Sequence, residues 1–175
     1  MNLKLKIWII FQVNFGLLNE LTFFGSNVDS LDLRKVTVTY ENGTNVEFEK
    51  IIQLFPKLEY LNYDPPSHGF AINSKTFKEL LKNPQFLKLK GCTFLDTPED
   101  FDLDAFYEYM KKNKDTSIEL SFCDELSEAY CNRLQTIVNE IVESETHDYN
   151  IPKIFFNGQD EKYRKKLWEL YRQHS

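Results

Sequence analysis

Large apolar residues recur along most of the chain in groups of three, at positions i, i+3 and i+4. This spacing places three side chains on one face of an α-helix, so each group predicts a helix with one buried face. The complete groups are Phe48, Ile51 and Ile52; Phe77, Leu80 and Leu81; Phe106, Tyr109 and Met110; and Leu134, Ile137 and Val138. A fifth group, Tyr163 with Leu167, has Lys166 at its i+3 position. The first residues of the complete groups are 29, 29 and 28 positions apart, which indicates an internal repeat.

Short segments in which apolar and polar residues alternate lie between these predicted helices. Alternation of this kind is typical of a strand that buries one side. The segments are Leu31-x-Leu33, Leu61-x-Tyr63, Leu87-x-Leu89, Ile118-x-Leu120 and Ile154-x-Phe156. Strands that alternate with helices favour a parallel sheet. Because each unit exposes apolar surface when alone, we expect neighbouring units to stack.

The unit is similar to a leucine-rich repeat, whose strand phrase is L-x-x-L-x-L-x-x-N/C. Residues 58–63 match its first half, and the segments ending at Cys92 and Cys123 match its second half. The resemblance implies an α/β leucine-rich-repeat solenoid of about five irregular units, with a parallel sheet on one face and helices on the other. It also implies equivalent places for Cys92 and Cys123, where a small side chain turns inward. A metal-binding cysteine pair is the alternative that we do not favour.

The N-terminal third departs from the repeat. We divide the chain into an irregular strand or cap segment, residues 1–27, and a leucine-rich-repeat domain, residues 28–175, that ends in a capping helix. Apolar residues alternate from Leu3 to Phe15, which predicts a strand. Residues 36–40 also alternate, up to a Glu-Asn-Gly-Thr sequence that suits either a hairpin turn or a loop before the next helix. The pattern leaves the topology of residues 1–47 open.

The composition describes one globular domain with an acidic surface. The 175 residues suffice for a substantial core, and 15 Phe with 9 Tyr predict an aromatic interior. The 21 basic and 27 acidic residues give a net charge of −6, which disfavours nucleic acids and anionic membranes as partners. We therefore expect a monomer that binds a protein, with no nucleic-acid or membrane partner.

The number of cysteines helps to predict the cellular compartment of the protein. Three cysteines cannot all pair within one chain, which favours a reducing, cytoplasmic location, and a nuclear one is also compatible. The alternative is a secreted or lumenal leucine-rich-repeat binding protein, because Lys4 and Lys6 precede an apolar run. Gln12 and Asn14 interrupt that run, and no small-residue cleavage site follows. In a secreted protein, Asn42-Gly43-Thr44 would be a glycosylation sequon.

Residue types that carry catalysis or bind metals are sparse. His68, His147 and His174 are the three histidines, and none has the spacing of metal ligands. The sequence contains no Gly-rich phosphate loop, P-loop or G-x-S-x-G motif. We therefore predict no catalytic residue, no metal site and no cofactor, and hence a protein that is not an enzyme.

Two charged stretches allow two interpretations each. The carboxylates between Asp96 and Asp104 suit a cation, but Thr97-Pro98 is a helix-start signal and Asp102 or Asp104 can cap the next helix. The basic run at residues 164–166 suits phosphate or an acidic partner, but it also suits the exposed face of a terminal helix. We favour the helical interpretation of both.

The polar residues of the predicted strands project together onto the other face of the sheet. They form two rows: Asp32, Asn62, Lys88, Glu119 and Phe155; and Arg34, Asp64, Lys90, Ser121 and Asn157. Rows that mix both charge signs with aromatic side chains can select a protein partner, and an ordinary polar sheet face is the alternative. The predicted partner-binding residues are Tyr60, Asn62, Asp64, Lys88, Lys90, Glu119, Ser121, Phe155 and Asn157.

Two segments, FEKIIQLFPKLEYLNY at residues 48–63 and TFKELLKNPQFLKLKGC at residues 76–92, carry a further resemblance. They resemble the C-terminal leucine-rich regions of nematode F-box and F-box-like proteins, over about Val28 to Ser175. The resemblance implies the substrate-recognition part of a cullin-based ubiquitin ligase receptor. The first thirty residues show no F-box, and Leu-Pro, which typically opens that motif, does not occur. We therefore predict a non-catalytic protein–protein interaction module, with the ligase role implied by the resemblance alone.

Overall fold

Six strands form a single parallel sheet in the computed structural model, which describes residues 8–11, 18–66 and 72–174. The strands lie in the order in which they occur along the chain, and every neighbouring pair is parallel. They are β1 (Trp8–Phe11), β2 (Ser30–Arg34), β3 (Tyr60–Asp64), β4 (Gly91–Thr97), β5 (Ser117–Phe122) and β6 (Lys153–Phe155). The predicted α/β class with a parallel sheet is confirmed.

Six α-helices alternate with these strands. They are α1 (Leu18–Gly25), α2 (Phe48–Gln53), α3 (Ser74–Leu80), α4 (Leu103–Lys112), α5 (Glu128–Glu143) and α6 (Glu161–His174), and a short 3-10 helix covers Phe86–Lys88. The four repeated anchors Phe48, Phe77, Phe106 and Leu134 are all buried in helices. The helical spacing predicted from the repeat is therefore correct for α2, α4 and α5. In α3 the third residue, Leu81, follows the helix as its C-cap and is only partly buried.

Side-chain caps fix where the longer repeat helices begin. The carboxylate of Asp102 accepts a hydrogen bond from the Ala105 N–H at 3.0 Å, and the Ser127 hydroxyl accepts one from the Tyr130 N–H. Such caps satisfy backbone donors that the first helical turn leaves unpaired. The predicted capping role of Asp102 is confirmed.

The repeat helices pack on one face of the sheet. Inward strand residues such as Leu61 and Ile118 belong to the same buried core as the helical anchors. The ring of Phe48 lies 4.1 Å from that of Tyr63 in β3, between ring centroids. Because successive strand residues point to opposite sides, the polar residues between these positions lie on the face away from the core.

The strand predicted at Leu87-x-Leu89 is wrong. Residues 86–88 form a 3-10 turn, and β4 begins only at Gly91. Phe86 and Leu89 are buried while Leu87 is 40% exposed, since residues three apart share one side of a 3-10 turn. In the sequence, Leu87-x-Leu89 therefore looks like strand alternation, although only Leu89 is buried.

The later start of β4 also changes how the two cysteines align with the neighbouring strands. Cys92 lies inside β4, where its register partners are Leu61 in β3 and Ile118 in β5. Cys123 follows β5 and is partly exposed. The predicted equivalence of Cys92 and Cys123 is therefore wrong, because Cys92 corresponds to Ile118.

The N-terminal region contains one helix that the pattern did not indicate, α1. Of the strand predicted from Leu3 to Phe15, residues 8–11 form β1, and the rest lies outside the described residues. The hairpin interpretation of residues 36–44 is supported by an antiparallel bridge between Thr39 and Asn45. Gly43 adopts the left-handed conformation, with φ of 80°, that such a tight turn requires.

Candidate functional site

The face of the sheet opposite the repeat helices carries a polar row that crosses five strands. Strand register aligns its members, so that each lies beside the next. The row is Asp32, Asn62, Thr93, Glu119 and Lys153. We call this surface the open face; it also includes Arg34, Tyr60, Ser121 and Phe155 beside the row, and it contains a shallow depression of about 290 Å³.

A hydrogen-bonded cluster centred on Asp32 orders one end of the row. The Arg34 Nε donates to both Asp32 carboxylate oxygens at 2.9 and 3.2 Å, and the Arg34 Nη2 donates to Oδ2 at 2.9 Å. The Asn62 amide donates to Asp32 Oδ1 at 3.1 Å. The hydrogen bonds between Arg34 and Asp32, together with the charge of Asp32, raise the pKa of Arg34. Asp32 is buried in this cluster, while the Arg34 side chain stays half exposed.

A second cluster orders the other end. The Lys153 Nζ lies 3.2 Å from Glu119 Oε2 and 4.5 Å from the centroid of the Tyr171 ring. Trp168 lies one helical turn before Tyr171, and the two rings stack with centroids 5.8 Å apart. The C-terminal part of α6 therefore borders the open face at β6, and it places Tyr171 there.

Tyr60 is the most exposed aromatic residue of the open face, with 43% of its surface accessible. Its ring lies on Gly91 of the neighbouring strand, where an added Cβ would come within 3.1 Å of Tyr60 Cδ1. The absence of a side chain at Gly91 therefore lets the Tyr60 ring lie on the sheet. Beside it, the Lys90 Nζ pairs with Glu59 Oε2 at 2.8 Å, and this hydrogen bond raises the pKa of Lys90.

Two residues with a left-handed backbone conformation lie near the carboxyl ends of β2 and β4. Lys35 has φ of 54° and Asp96 has φ of 51°, a conformation that costs a non-glycine residue roughly 1–2 kcal/mol. The Lys35 Nζ bridges Asp64 Oδ1 at 2.8 Å and Asp96 Oδ2 at 3.6 Å. The hydrogen bond with Asp64 raises the pKa of Lys35. The carboxylates of Asp64 and Asp96 are therefore both paired with Lys35.

Six of the nine predicted partner-binding residues lie in strands and face the open face: Tyr60, Asn62, Asp64, Glu119, Ser121 and Phe155. Phe155 lies beside Ser121, one row away from its predicted place next to Glu119. Lys88 lies in the 3-10 turn, Lys90 precedes β4, and Asn157 follows β6 in a turn.

Sequence reasoning missed three residues of this surface: Thr93, Lys153 and Tyr171. The alternation of Cys92 and Phe94 would have revealed Thr93, since Thr93 stands between two buried neighbours. No local pattern indicates that Tyr171 reaches the sheet.

Cys92 and His147 belong to residue types that often act in catalysis, and both make contacts within the fold. Cys92 is buried on the core side, and burial raises the pKa of its thiol to about 12. Within the described ranges, no three His, Cys, Asp or Glu side chains are grouped as a metal site would require. His68 lies outside the described residues, and the His147 ring contacts the Ile141 carbonyl oxygen at 2.7 Å.

No protein-family model, curated protein or solved structure matches this chain. None of the helices in the described part of the chain combines the length and apolar character that crossing a membrane requires.

Proposed function

We propose that this chain is a leucine-rich-repeat solenoid that binds a protein partner through the open face. The solenoid assignment is supported by strands that follow one another in chain order and by helical anchors 28 or 29 residues apart. In such an array each unit contacts mainly its neighbours, and successive strands build one extended recognition surface.

One observation carries the binding proposal: five strands present a continuous row of mixed charge, with half-exposed Arg34 and Tyr60 beside it. Arginine and tyrosine are among the residues that most often dominate the energy of protein interfaces. Intramolecular bonds already hold Arg34 and Lys153 in place, so less conformational freedom is lost on binding.

A non-catalytic role in the cytoplasm is part of the proposal. The three cysteines are unpaired, as a reducing compartment favours. The resemblance to F-box proteins further suggests that the partner is a substrate delivered to a cullin-based ligase. Fold does not determine function, so this last step needs its own test.

Affinity purification of the tagged full chain from its own cells, followed by mass spectrometry, tests the proposal. Thr93→Arg places a long side chain at the centre of the open face, and Thr136→Arg makes the same change on the exposed side of α5. We expect Thr93→Arg to lose the partner and Thr136→Arg to keep it. A partner that both variants retain equally would contradict the open face as the binding site.

The same experiment distinguishes a ligase receptor from a free-standing binding module. Recovery of a cullin or its adaptor with the wild-type chain would support a ligase receptor. A partner that depends on Thr93 and arrives without ligase components would instead indicate a free-standing binding module.

A further inference from the structure

A groove of about 350 Å³ lies between β6 and α6. One wall is formed by all three residues of β6, and the other by Glu161, Arg164, Lys165, Leu167 and Trp168 of α6. Apart from Lys153, none of these residues borders the depression on the open face. The groove adjoins the open face and shares Lys153 and Phe155 with it, but its other wall belongs to α6, so binding in the groove can be tested separately from binding at the open face.

The groove runs along the outer edge of β6. Successive side chains of a strand point to opposite faces, so a groove lined by three consecutive residues must border the edge of the strand and not one face alone. The inner edge of β6 pairs with β5, from Lys153 to Phe155. In the ranges that the structure describes, no strand pairs with the outer edge. An edge of this kind presents backbone N–H and C=O groups that a further strand can bind.

The walls of the groove combine an apolar anchor site with positive charge. Trp168 is 43% exposed, and it lies near the buried side chains of Ile154 and Leu167. Three cations, Lys153, Arg164 and Lys165, line the groove. Lys153 pairs with Glu119 and the other two share Glu161, which leaves one net positive charge. This excess of positive charge stands out on a chain whose net charge is −6.

The cations differ in how freely they can meet a ligand. Lys153 is mostly buried between Glu119 and the two aromatic rings, so its position is fixed. Arg164 and Lys165 both pair with Glu161, but at least half of each side chain is exposed. Exposed ion pairs of this kind contribute little energy, so ligand carboxylates can replace Glu161 as the partner at little cost.

We infer that this groove binds an extended acidic peptide, which adds a strand to the outer edge of β6. Backbone hydrogen bonds to β6 supply affinity, as in other complexes where a peptide extends a sheet. Carboxylates of the peptide pair with Arg164 and Lys165, and one large apolar side chain packs on Trp168. The partner is thus recognised as a strand in which acidic residues flank an apolar anchor.

Selection from a phage-displayed library of random peptides, about twelve residues long, tests this inference on the full chain. We expect the enriched peptides to carry acidic residues around one large apolar residue. The most enriched peptide, labelled with fluorescein, is then titrated by anisotropy. Methylation of its central backbone nitrogens should weaken binding roughly tenfold or more, because a methylated nitrogen cannot donate to β6.

Matched charge reversals locate the site. Arg164→Glu with Lys165→Glu should weaken binding of the acidic peptide at least about tenfold. Lys162→Glu with Lys166→Glu makes the same charge change on α6 outside the groove and should leave binding within about threefold. Trp168→Ala should also weaken binding, and Thr93→Arg on the open face should not. Circular dichroism checks that each variant is folded.

Enriched peptides without acidic residues would overturn the inference, as would equal losses in the two double variants. Failure to enrich any peptide would overturn it as well. Self-association of the chain that Arg164→Glu with Lys165→Glu abolishes, and the control pair preserves, would assign the groove to a second copy instead. Loss of peptide binding in Thr93→Arg would place the peptide on the open face.

Discussion

Replacing Phe77 with alanine is expected to lower the free energy of unfolding by about 3–5 kcal/mol. Phe77 is fully buried, and its ring lies 4.9 Å from that of Phe101 and 6.3 Å from that of Phe86. It also contacts Phe106 and Tyr109, so one side chain joins α3, the 3-10 turn and α4. Truncation leaves a cavity among rigid rings, which cannot collapse easily to fill it.

Urea unfolding followed by circular dichroism measures this change, with Leu87→Ala as the control. Leu87 is close to Phe77 in sequence but 40% exposed, so its truncation should cost no more than about 0.5 kcal/mol. Equal midpoints for the Phe77→Ala protein and the wild type would contradict the packing between neighbouring units that the proposed solenoid requires.

Replacing Tyr60 with alanine is expected to weaken partner binding by about 2 kcal/mol or more, roughly thirtyfold in Kd. Tyr60 offers the open face a large ring that is 43% exposed and supported from below by Gly91. A ring held in this way loses little conformational freedom when it is covered, since tyrosine has few rotatable bonds.

Calorimetric titration with the partner recovered by affinity purification measures this loss. Tyr60→Phe keeps the ring and should remain within about 1 kcal/mol of the wild type, the size of one hydrogen bond. Thermal unfolding of Tyr60→Ala should change little because the side chain is exposed. An unchanged Kd for Tyr60→Ala would remove this residue from the interface.

The helices of the repeat were predictable because their signal comes from burial alone. Phe106, Tyr109 and Met110 lie on one helical face whatever the details of the loops around them, and all three are buried. The strands were predictable wherever alternation had a single explanation, as at Leu31 and Leu33. Before β4, the apolar residues fit either a strand or a 3-10 turn, because Phe86 and Leu89 share one side of such a turn.

The candidate site was only partly predictable because it depends on strand register and on contacts between distant elements. The misplaced fourth strand assigned Lys88 to the row that Thr93 occupies. The row at β6 likewise contains Lys153 and not Phe155, since Ile154 aligns with Leu120 in β5 and not with Ile118. The contact of Tyr171 with Lys153 arises from the way α6 packs, which no local pattern encodes.

Photo-crosslinking in living cells tests most directly whether the open face binds a protein. A benzophenone amino acid replaces Ser121 on the open face in one variant, and Asn132 on the exposed side of α5 in another. We expect irradiation to attach a discrete protein to the Ser121 variant and not to the Asn132 variant. The same protein attached through Asn132, with none attached through Ser121, would contradict the proposal and assign recognition to the helical side.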